Sequence, residues 1–108
     1  AITLMKQALP KAQKAGNKKL EGSIYNGFAA QYYQTGKSED AVKFFYKSLS
    51  VFEELRDTVQ MVNVLRNMSL VYNHMKDYDR NGVLLYRALN LFLLKKDTTL
   101  LDATYRSL

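Results

Sequence analysis

The sequence of 108 residues has no cysteine, one proline, five glycines and one histidine. Without cysteine there is no disulfide framework, no thiolate metal site and no cysteine nucleophile. The one histidine, His74, removes most zinc constellations and leaves at most one pairing of the serine–histidine type. So few glycines and prolines supply few turn signals for an all-β protein. Long helices are therefore expected.

The composition is typical of one small globular domain, with 47% hydrophobic and 24% charged residues. The most apolar stretch, residues 83–94, is interrupted by Arg87 and Asn90 and is shorter than the ~20 residues that cross a bilayer, so we expect no membrane span. The chain starts without methionine and stops inside a helical pattern. We therefore expect a piece of a longer protein, with targeting signals outside it. The lack of cysteine favours the cytoplasm and is also compatible with export.

Basic residues exceed acidic ones by 16 to 10, which gives a net charge of +6. This balance is compatible with acidic partners, nucleic acid or an anionic membrane surface. Nucleic-acid binding usually needs basic residues clustered on one face with aromatic residues between them. Here the lysines and arginines are scattered over several faces, which favours a solvated surface and argues against a nucleic-acid partner.

The chain superimposes on itself when Asp57-Thr58 is laid on Asp97-Thr98, and the same displacement lays residues 46–52 on residues 86–92. We call this displacement the repeat shift. The matches fall on apolar or capping positions, and the differences fall mostly between them. A repeat of about 40 residues is typical of helical-repeat architectures, in which each unit is one supersecondary element.

Within one repeat the apolar residues are spaced as in amphipathic helices. Leu20, Ile24 and Phe28 follow one another at every fourth position, which places them on one helix face. The same spacing predicts inner faces for the next three helices, which comprise Ala41, Phe44, Phe45, Ser48, Leu49 and Phe52, then Met61, Leu65, Met68, Tyr72 and Met75, then Leu84, Leu85, Ala88, Leu89 and Phe92.

Capping residues predict where the helices begin and end. Gly36 suits the left-handed conformation that ends a helix, and Ser38 is the predicted N-cap of the next helix. Asp57 is predicted to form a capping box with Gln60, and Asp97 to cap a last, truncated helix. The result is six helices in a single domain, divided into residues 1–16 (second helix of a partial repeat), 18–57 and 58–97 (full repeats) and 98–108 (first helix of a truncated repeat). Because no helix pair buries its stripe alone, the predicted fold is all-α, a right-handed α-solenoid of antiparallel helix hairpins.

These units resemble the tetratricopeptide repeat (TPR). The first unit follows that pattern at Tyr25, Phe28-Ala29, Tyr32, Gly36, Ala41, Phe45 and Ser48-Leu49. The second follows it at Leu65, Met68-Ser69, Tyr72, Tyr78, Leu85 and Ala88-Leu89, and departs from it at Lys76, where glycine is usual, and at Asn81, where alanine is usual. Small residues are needed where paired helices approach closely. Repeats longer than the common length of about 34 residues are similar to those of peptide-binding adaptors and of bacterial regulatory and sensor proteins.

The resemblance implies a protein–protein interaction module that binds a peptide or partner protein in a concave groove lined by the first helix of each hairpin. The candidate groove residues it implies are Asn26, Tyr33, Asn63, Arg66, Asn67, Asn73 and His74, beside Ser23, Ala30, Gln34 and Leu70. Asparagine offers a donor and an acceptor to a peptide backbone, and the Arg66 guanidinium suits a carboxylate. The resemblance implies that this module is a segment of a larger bacterial signalling or regulatory protein. The alternative is a structural spacer or oligomerisation segment with no ligand site of its own, in which these asparagines are solvated.

Motifs for catalysis are absent from the sequence, which has no Gly-rich phosphate loop, no HExxH and no GxSxG. His74 with Asp77 and Asp79 supplies too few ligands for a zinc site, and no nucleophile stands at helical spacing from it. We therefore expect neither an enzyme nor a cofactor. A second interaction hypothesis is a homo-oligomer formed through exposed terminal helices, since the predicted last helix leaves three apolar residues without cover, namely Leu100, Leu101 and Tyr105.

Overall fold

The computed structural model describes the backbone of residues 2–107 and the side chains of residues 5–94. It contains five helices, namely α1 (Ile2–Lys14), α2 (Lys18–Gln34), α3 (Ser38–Glu54), α4 (Thr58–His74) and α5 (Tyr78–Ser107). No strand occurs in residues 2–107, and each helix packs against the next one in the chain. The expectation of an all-α chain is confirmed.

The turns between the helices are four copies of one type. They recur at equal intervals, each with one residue in the left-handed conformation: Gly16, Gly36, Arg56 and Lys76. At the second turn the Gly36 N–H donates to the Tyr33 carbonyl at 3.2 Å, and the Lys37 N–H donates to the Tyr32 carbonyl at 2.8 Å. These two bonds form a Schellman motif, which satisfies carbonyls at the end of a helix. Since α2, α3 and α4 each contain 17 residues, the helices between the turns are of equal length.

The N-terminal caps follow the sequence only in part. Asp57 caps α4 as predicted, because its carboxylate accepts from the Gln60 N–H at 3.3 Å. A capping box also needs a bond from the Asp57 N–H to the Gln60 side chain. That part of the prediction is wrong, since the Asp57 N–H donates instead to the Phe52 carbonyl at 3.0 Å. Ser38 is the first residue of α3 rather than its cap, and Lys37 occupies the cap position without a side-chain bond. The left-handed turn before Lys37 sets this boundary.

The predicted break at Asp97 is wrong, because α5 runs unbroken from Tyr78 to Ser107 and the described chain has five helices rather than six. One repeat earlier, Arg56 takes the left-handed backbone that ends α3. That conformation costs a non-glycine residue about 1–2 kcal/mol. The packing of α4 on α3 offsets the cost at Arg56, whereas an unbroken helix avoids it at Lys96. The sequence analysis expects three apolar residues of the last helix to lack cover, namely Leu100, Leu101 and Tyr105. Their side chains lie outside those that the structure describes.

The core consists of two adjoining clusters. The larger one extends from α2 through α3 and α4 to α5. It contains Ala29, Ala41, Phe45, Leu49, Phe52, Val64, Leu65, Met68, Val71, Tyr72, Leu84 and Ala88. The smaller one joins α1 to α2 through Ala12, Ile24 and Phe28. Most predicted core residues are buried or half-buried. The prediction is wrong for five residues that are at least 41% exposed, namely Leu20, Met75, Leu85, Leu89 and Phe92.

Small residues bring the helices close together. A Cβ atom on Gly22 of α2 would lie only 2.9 Å from the Phe52 ring and 3.1 Å from a Val51 methyl group of α3. At the same contact the Ser48 hydroxyl donates to the Gly22 carbonyl at 2.8 Å, which joins the two helices by a buried hydrogen bond. The small residues predicted at helix contacts are indeed no more than 5% exposed, namely Ala29, Ala41, Ser69 and Ala88.

The chain forms a flat, elongated body of 53 × 39 × 17 Å. Its radius of gyration is 15.9 Å, whereas a compact domain of about 100 residues has about 13 Å. Helix α5 accounts for much of this extension, since its 30 residues span about 45 Å at the rise of an α-helix. Within the described residues, no helix is both long and apolar enough to cross a membrane.

Candidate functional site

A groove lies between α2 and α4. Its pocket has a volume of about 210 Å³ and is lined by Ala30, Tyr33 and Gln34 of α2, Asn67 and Leu70 of α4, and Phe45 of α3. We call these six residues the α2/α4 groove. None of them is charged, so the groove combines apolar surface with the amide groups of Gln34 and Asn67. An amide group donates and accepts hydrogen bonds, so this lining suits a neutral polar ligand such as a peptide backbone.

The two helices that form the walls of the groove start in the same way. Asn17 caps α2 by accepting from the Leu20 N–H at 3.1 Å, and Asp57 caps α4 in the same way one repeat later. Each cap satisfies a backbone donor that would otherwise be free at the helix start. The two helices therefore begin at equivalent positions of the repeat, Lys18 and Thr58.

Three of the candidate residues lie together at the groove. Tyr33 and Asn67 line the pocket from opposite walls. His74, the last residue of α4, meets the edge of the Tyr33 ring, with a distance of 5.8 Å between ring centres and an angle of 83° between the rings. This T-shaped contact is a favoured arrangement of aromatic pairs. It connects the C-terminal ends of α2 and α4 beside the pocket.

Asn26 lies on α2, one turn before Ala30. Its side chain is half-buried, and its Oδ1 atom is buried with no hydrogen-bond partner among the described residues. A buried acceptor without a partner costs about 1–3 kcal/mol. Because this oxygen exposes almost no surface, it is not open to a ligand in the described conformation.

Of the seven candidate residues, Tyr33 and Asn67 line the pocket and the others do not. Asn63 and Arg66 are exposed on α4. The Asn73 Oδ1 atom accepts a hydrogen bond of 3.4 Å from the Asn81 amide of α5, so Asn73 contacts the following helix. The groove also contains a residue that the sequence analysis assigned only to the core, Phe45. No sequence signal indicates that the ring of Phe45 reaches the groove, because this depends on how α3 crosses behind α2 and α4.

A second pocket lies between α3, α4 and α5. It has a volume of about 260 Å³ and is lined by Tyr46, Tyr72, Asp79, Arg80, Val83 and Leu84. The sequence analysis missed this pocket, although Tyr46 recurs as Tyr86 under the repeat shift. The guanidinium of Arg80 lies 5.7 Å from the Tyr72 ring centre and 3.5 Å from the Asp77 carboxylate. Arg80 is therefore already engaged by groups of the protein.

The titration of Tyr72 follows from its surroundings. Burial raises the pKa of Tyr72, because it disfavours the charged phenolate, and a hydrogen bond with Tyr46 raises the pKa further. Arg80 opposes both effects by stabilising the phenolate. Burial likewise raises the pKa of Tyr25 on α2, with the negative charge of Glu21 as the next cause. A tyrosine with a raised pKa stays protonated at neutral pH and supplies no nucleophile.

Side chains that bind metal ions are dispersed. Over the described side chains, no group of three or more histidine, aspartate or glutamate residues is close enough to hold a metal ion. The His74 ring packs against the Tyr33 ring. The chemistry that the α2/α4 groove supports is therefore that of hydrogen bonding and apolar contact.

Comparison with known proteins bears on the fold. No family model matches the chain, and no curated protein matches its sequence. Among solved structures, the crystal structure of BtubC (BKLC) from P. vanneervenii is similar, with a TM-score of 0.74 and 24% sequence identity. The match covers 83% of this chain and 37% of BtubC. At this identity the likeness concerns the arrangement of helices alone, and this chain corresponds to little more than a third of BtubC.

Proposed function

We propose that this chain is a segment of a TPR-like α-solenoid that binds a peptide, or an extended segment of a partner protein, in the α2/α4 groove. The four like turns at equal intervals and the three helices of 17 residues support a repeat architecture. The length of the repeat supports a parent protein of the bacterial signalling or regulatory kind. The chain itself then acts as a docking module without catalysis.

The observation that carries this proposal is the lining of the α2/α4 groove. Phe45 and Leu70 provide apolar surface, while Gln34 and Asn67 provide amide groups on opposite walls. An extended peptide has the matching features, since its backbone alternates donors and acceptors and its side chains alternate in direction. The pocket of about 210 Å³ is smaller than the roughly 300–1,000 Å³ of small-molecule sites. This size favours one side chain of a larger ligand over a cofactor.

Asn26 extends the same argument along α2. Its buried Oδ1 atom lacks a hydrogen-bond partner among the described residues. When the Asn26 side chain turns toward the groove, its oxygen can accept a hydrogen bond from the ligand backbone. Asn26 and Asn67 are therefore the two side chains that we propose to bind the ligand backbone.

A peptide array tests the proposal with the wild-type chain and the double variant Asn26→Ala/Asn67→Ala. We expect peptides that bind the wild type to lose at least tenfold in affinity with the variant. Binding should persist at high salt, because the groove is uncharged and screening weakens only charge–charge attraction. The matched control is Asn90→Ala, which removes an exposed asparagine from α5 and should leave binding unchanged.

Two outcomes would contradict the proposal. Peptides that the double variant still binds, and that high salt releases, would indicate binding to the basic surface instead. A wild-type chain that binds no peptide would favour the second candidate, a structural or oligomerisation segment, which the exposed apolar residues of α5 support. Circular dichroism and thermal unfolding of each variant establish that a loss of binding is not a loss of fold.

A further inference from the structure

The second pocket, which we call the α3/α5 pocket, is lined by Tyr46, Tyr72, Asp79, Arg80, Val83 and Leu84. Its equivalent in the first unit is filled by a side chain of the protein. There the Phe44 ring of α3 stacks on the Tyr32 ring of α2, with 5.4 Å between ring centres and 12° between ring planes. The repeat shift lays Tyr32 on Tyr72 and Phe44 on Leu84. Since leucine has no ring, the second unit lacks the group that fills this place in the first.

The surroundings of Phe44 show what such a place accepts. The Phe44 ring also packs against the Phe28 ring, with 5.4 Å between ring centres. The ammonium groups of Lys43 and Lys47 lie 5.8 Å and 5.1 Å from the centre of the Phe44 ring. Ring–ring contacts and cation–π attraction both stabilise an aromatic group in such a position. The occupant in the first unit is therefore an aromatic ring beside cations.

The α3/α5 pocket offers the same kinds of contact. Tyr46 of α3 and Val83 of α5 provide its apolar surface, and they are 47% and 68% exposed. The cation is Arg80, whose guanidinium lies 5.7 Å from the Tyr72 ring centre and whose side chain is 68% exposed. A guanidinium is planar and stacks on aromatic faces, so its open face suits a further ring. Because Asp79 balances the charge of Arg80 in the lining, the pocket suits a neutral group.

The repeat also shows that a following hairpin does not cover this place. In the first unit, α4 and α5 follow α3, and yet Glu39, Asp40 and Lys43 are exposed. The repeat shift lays these three residues on the first three α5 residues of the pocket lining. A further hairpin after α5 would stand in the same relation to the α3/α5 pocket. The pocket is therefore open to a partner whether or not another unit follows.

We propose that the α3/α5 pocket is a second docking site, which binds a phenylalanine or tyrosine side chain of a partner protein. The bound ring takes the place that the Phe44 ring takes in the first unit. The pocket volume of about 260 Å³ is below the roughly 300–1,000 Å³ of small-molecule sites, so it suits one side chain. The pocket shares no lining residue with the α2/α4 groove, and the two sites are therefore independent.

An NMR titration of the whole chain with N-acetyl-phenylalanine amide tests the proposal. We expect the amide signals of Tyr46, Val83 and Leu84 to shift saturably in the wild type. Leu84→Phe supplies the ring from the chain itself and should weaken binding at least tenfold. Leu85→Phe adds the same ring at the next position, outside the pocket lining, and should change affinity less than twofold.

Two tyrosine variants and an aliphatic probe sharpen the test. Tyr46→Ala removes a half-exposed wall of the pocket, so the fold should persist and binding should weaken at least fivefold. Tyr86→Ala removes the equivalent tyrosine of α5 and should leave binding unchanged. N-acetyl-cyclohexylalanine amide has a similar shape without an aromatic face, so it should bind at least threefold more weakly because cation–π attraction is lost.

Three results would overturn the proposal. One is a wild-type chain without saturable shifts, and another is equal binding by the wild type and a folded Leu84→Phe variant. The third is a set of shifts confined to Tyr33 and Asn67, which would place the ring in the α2/α4 groove. Thermal unfolding establishes whether Leu84→Phe folds, and if it does not, the comparison of Tyr46→Ala with Tyr86→Ala decides. The variant Asn26→Ala/Asn67→Ala should bind the amide as the wild type does, which separates the two sites.

Discussion

The hairpin α2/α3 and the hairpin α4/α5 have the same backbone plan but bury their side chains differently. Both begin at a side-chain cap, Asn17 or Asp57, and both turn through a left-handed residue, Gly36 or Lys76. Helix α3 is covered by α2 on one side and α4 on the other, whereas α5 packs on α4. The comparison teaches that the repeated sequence defines the helices, while burial depends on the neighbour that covers each face.

The two hairpins also differ in how closely their helices approach. In the first, Gly22 and Ser48 allow a hydrogen bond between helices. Under the repeat shift these positions become Val62 and Ala88, which contain no side-chain group able to form that bond. The first hairpin therefore combines close packing with a buried polar contact, and the second relies on apolar packing at this point.

The largest expected difference between the hairpins concerns their equivalent leucines. Leu49→Ala removes a side chain that is 3% exposed, so it should lower the free energy of unfolding by about 2–5 kcal/mol. Leu89→Ala changes a side chain that is 53% exposed and should cost less than about 1 kcal/mol. Urea unfolding followed by circular dichroism measures both values. Equal losses would show that α5 is covered in solution.

The next prediction concerns two glycines whose replacement by alanine should change the free energy of unfolding in opposite directions. Gly22→Ala should destabilise the chain by about 1–2 kcal/mol, since its Cβ meets the buried Phe52 ring and overpacking outweighs the gain in helix propensity. Gly82→Ala meets no atom within 4 Å in α5 and should stabilise the helix by up to about 1 kcal/mol. Thermal unfolding of the two variants gives the signs. Stabilisation by both would mean that α2 and α3 are further apart than described.

A smaller effect is expected from exchanging the turn residues. Lys76 has a φ of 62°, so Lys76→Gly should relieve strain and stabilise the second hairpin by up to about 1 kcal/mol. Gly36 has a φ of 80°, and Gly36→Lys should destabilise the first by a similar amount. Urea midpoints should therefore move in opposite directions. A loss of stability with Lys76→Gly would show that the lysine side chain itself supports the turn.

The smallest effect is confined to alkaline pH. The pKa of Tyr72 is raised in the folded state, so its contribution to stability is complete below the pKa of an unfolded tyrosine, about 10, and is lost as pH rises above it. Tyr72→Phe should therefore reduce the loss of stability above about pH 10. Tyr86→Phe, at a position that is 68% exposed, is the control for the loss of one phenol. Unfolding midpoints at neutral and alkaline pH provide the measurement, and identical pH dependence in all three proteins would contradict it.

Much of the fold follows from local sequence patterns. The spacing of Ile24 and Phe28, the cap at Asp57 and the glycine at Gly36 predict helices where the structure has them. The start of α3 is misjudged because the turn before it, rather than the hydroxyl of Ser38, sets the boundary. The break at Asp97 is misjudged for a similar reason. A cap residue starts a helix only where the chain before it turns.

Less of the candidate site than of the fold can be predicted from the sequence. Tyr33 and Asn67 are predicted from their places on the first helix of each unit, and the structure brings them to one pocket. The contact between Tyr33 and His74 joins residues in different repeats, so it depends on how α2 and α4 pack. The same holds for Asn73, whose bond to Asn81 follows from the crossing of α4 and α5. Periodicity within a helix does not contain this information.

The even spacing of the turns has a consequence for how the chain tolerates change in length. A single residue inserted within α4 would rotate every later side chain of that helix by about 100° and turn its apolar stripe away from α3. A segment as long as one whole repeat, inserted between two turns, would preserve the direction of every stripe, because it adds one complete hairpin. The architecture therefore admits growth and shortening by whole units, and resists the gain or loss of single residues inside its helices.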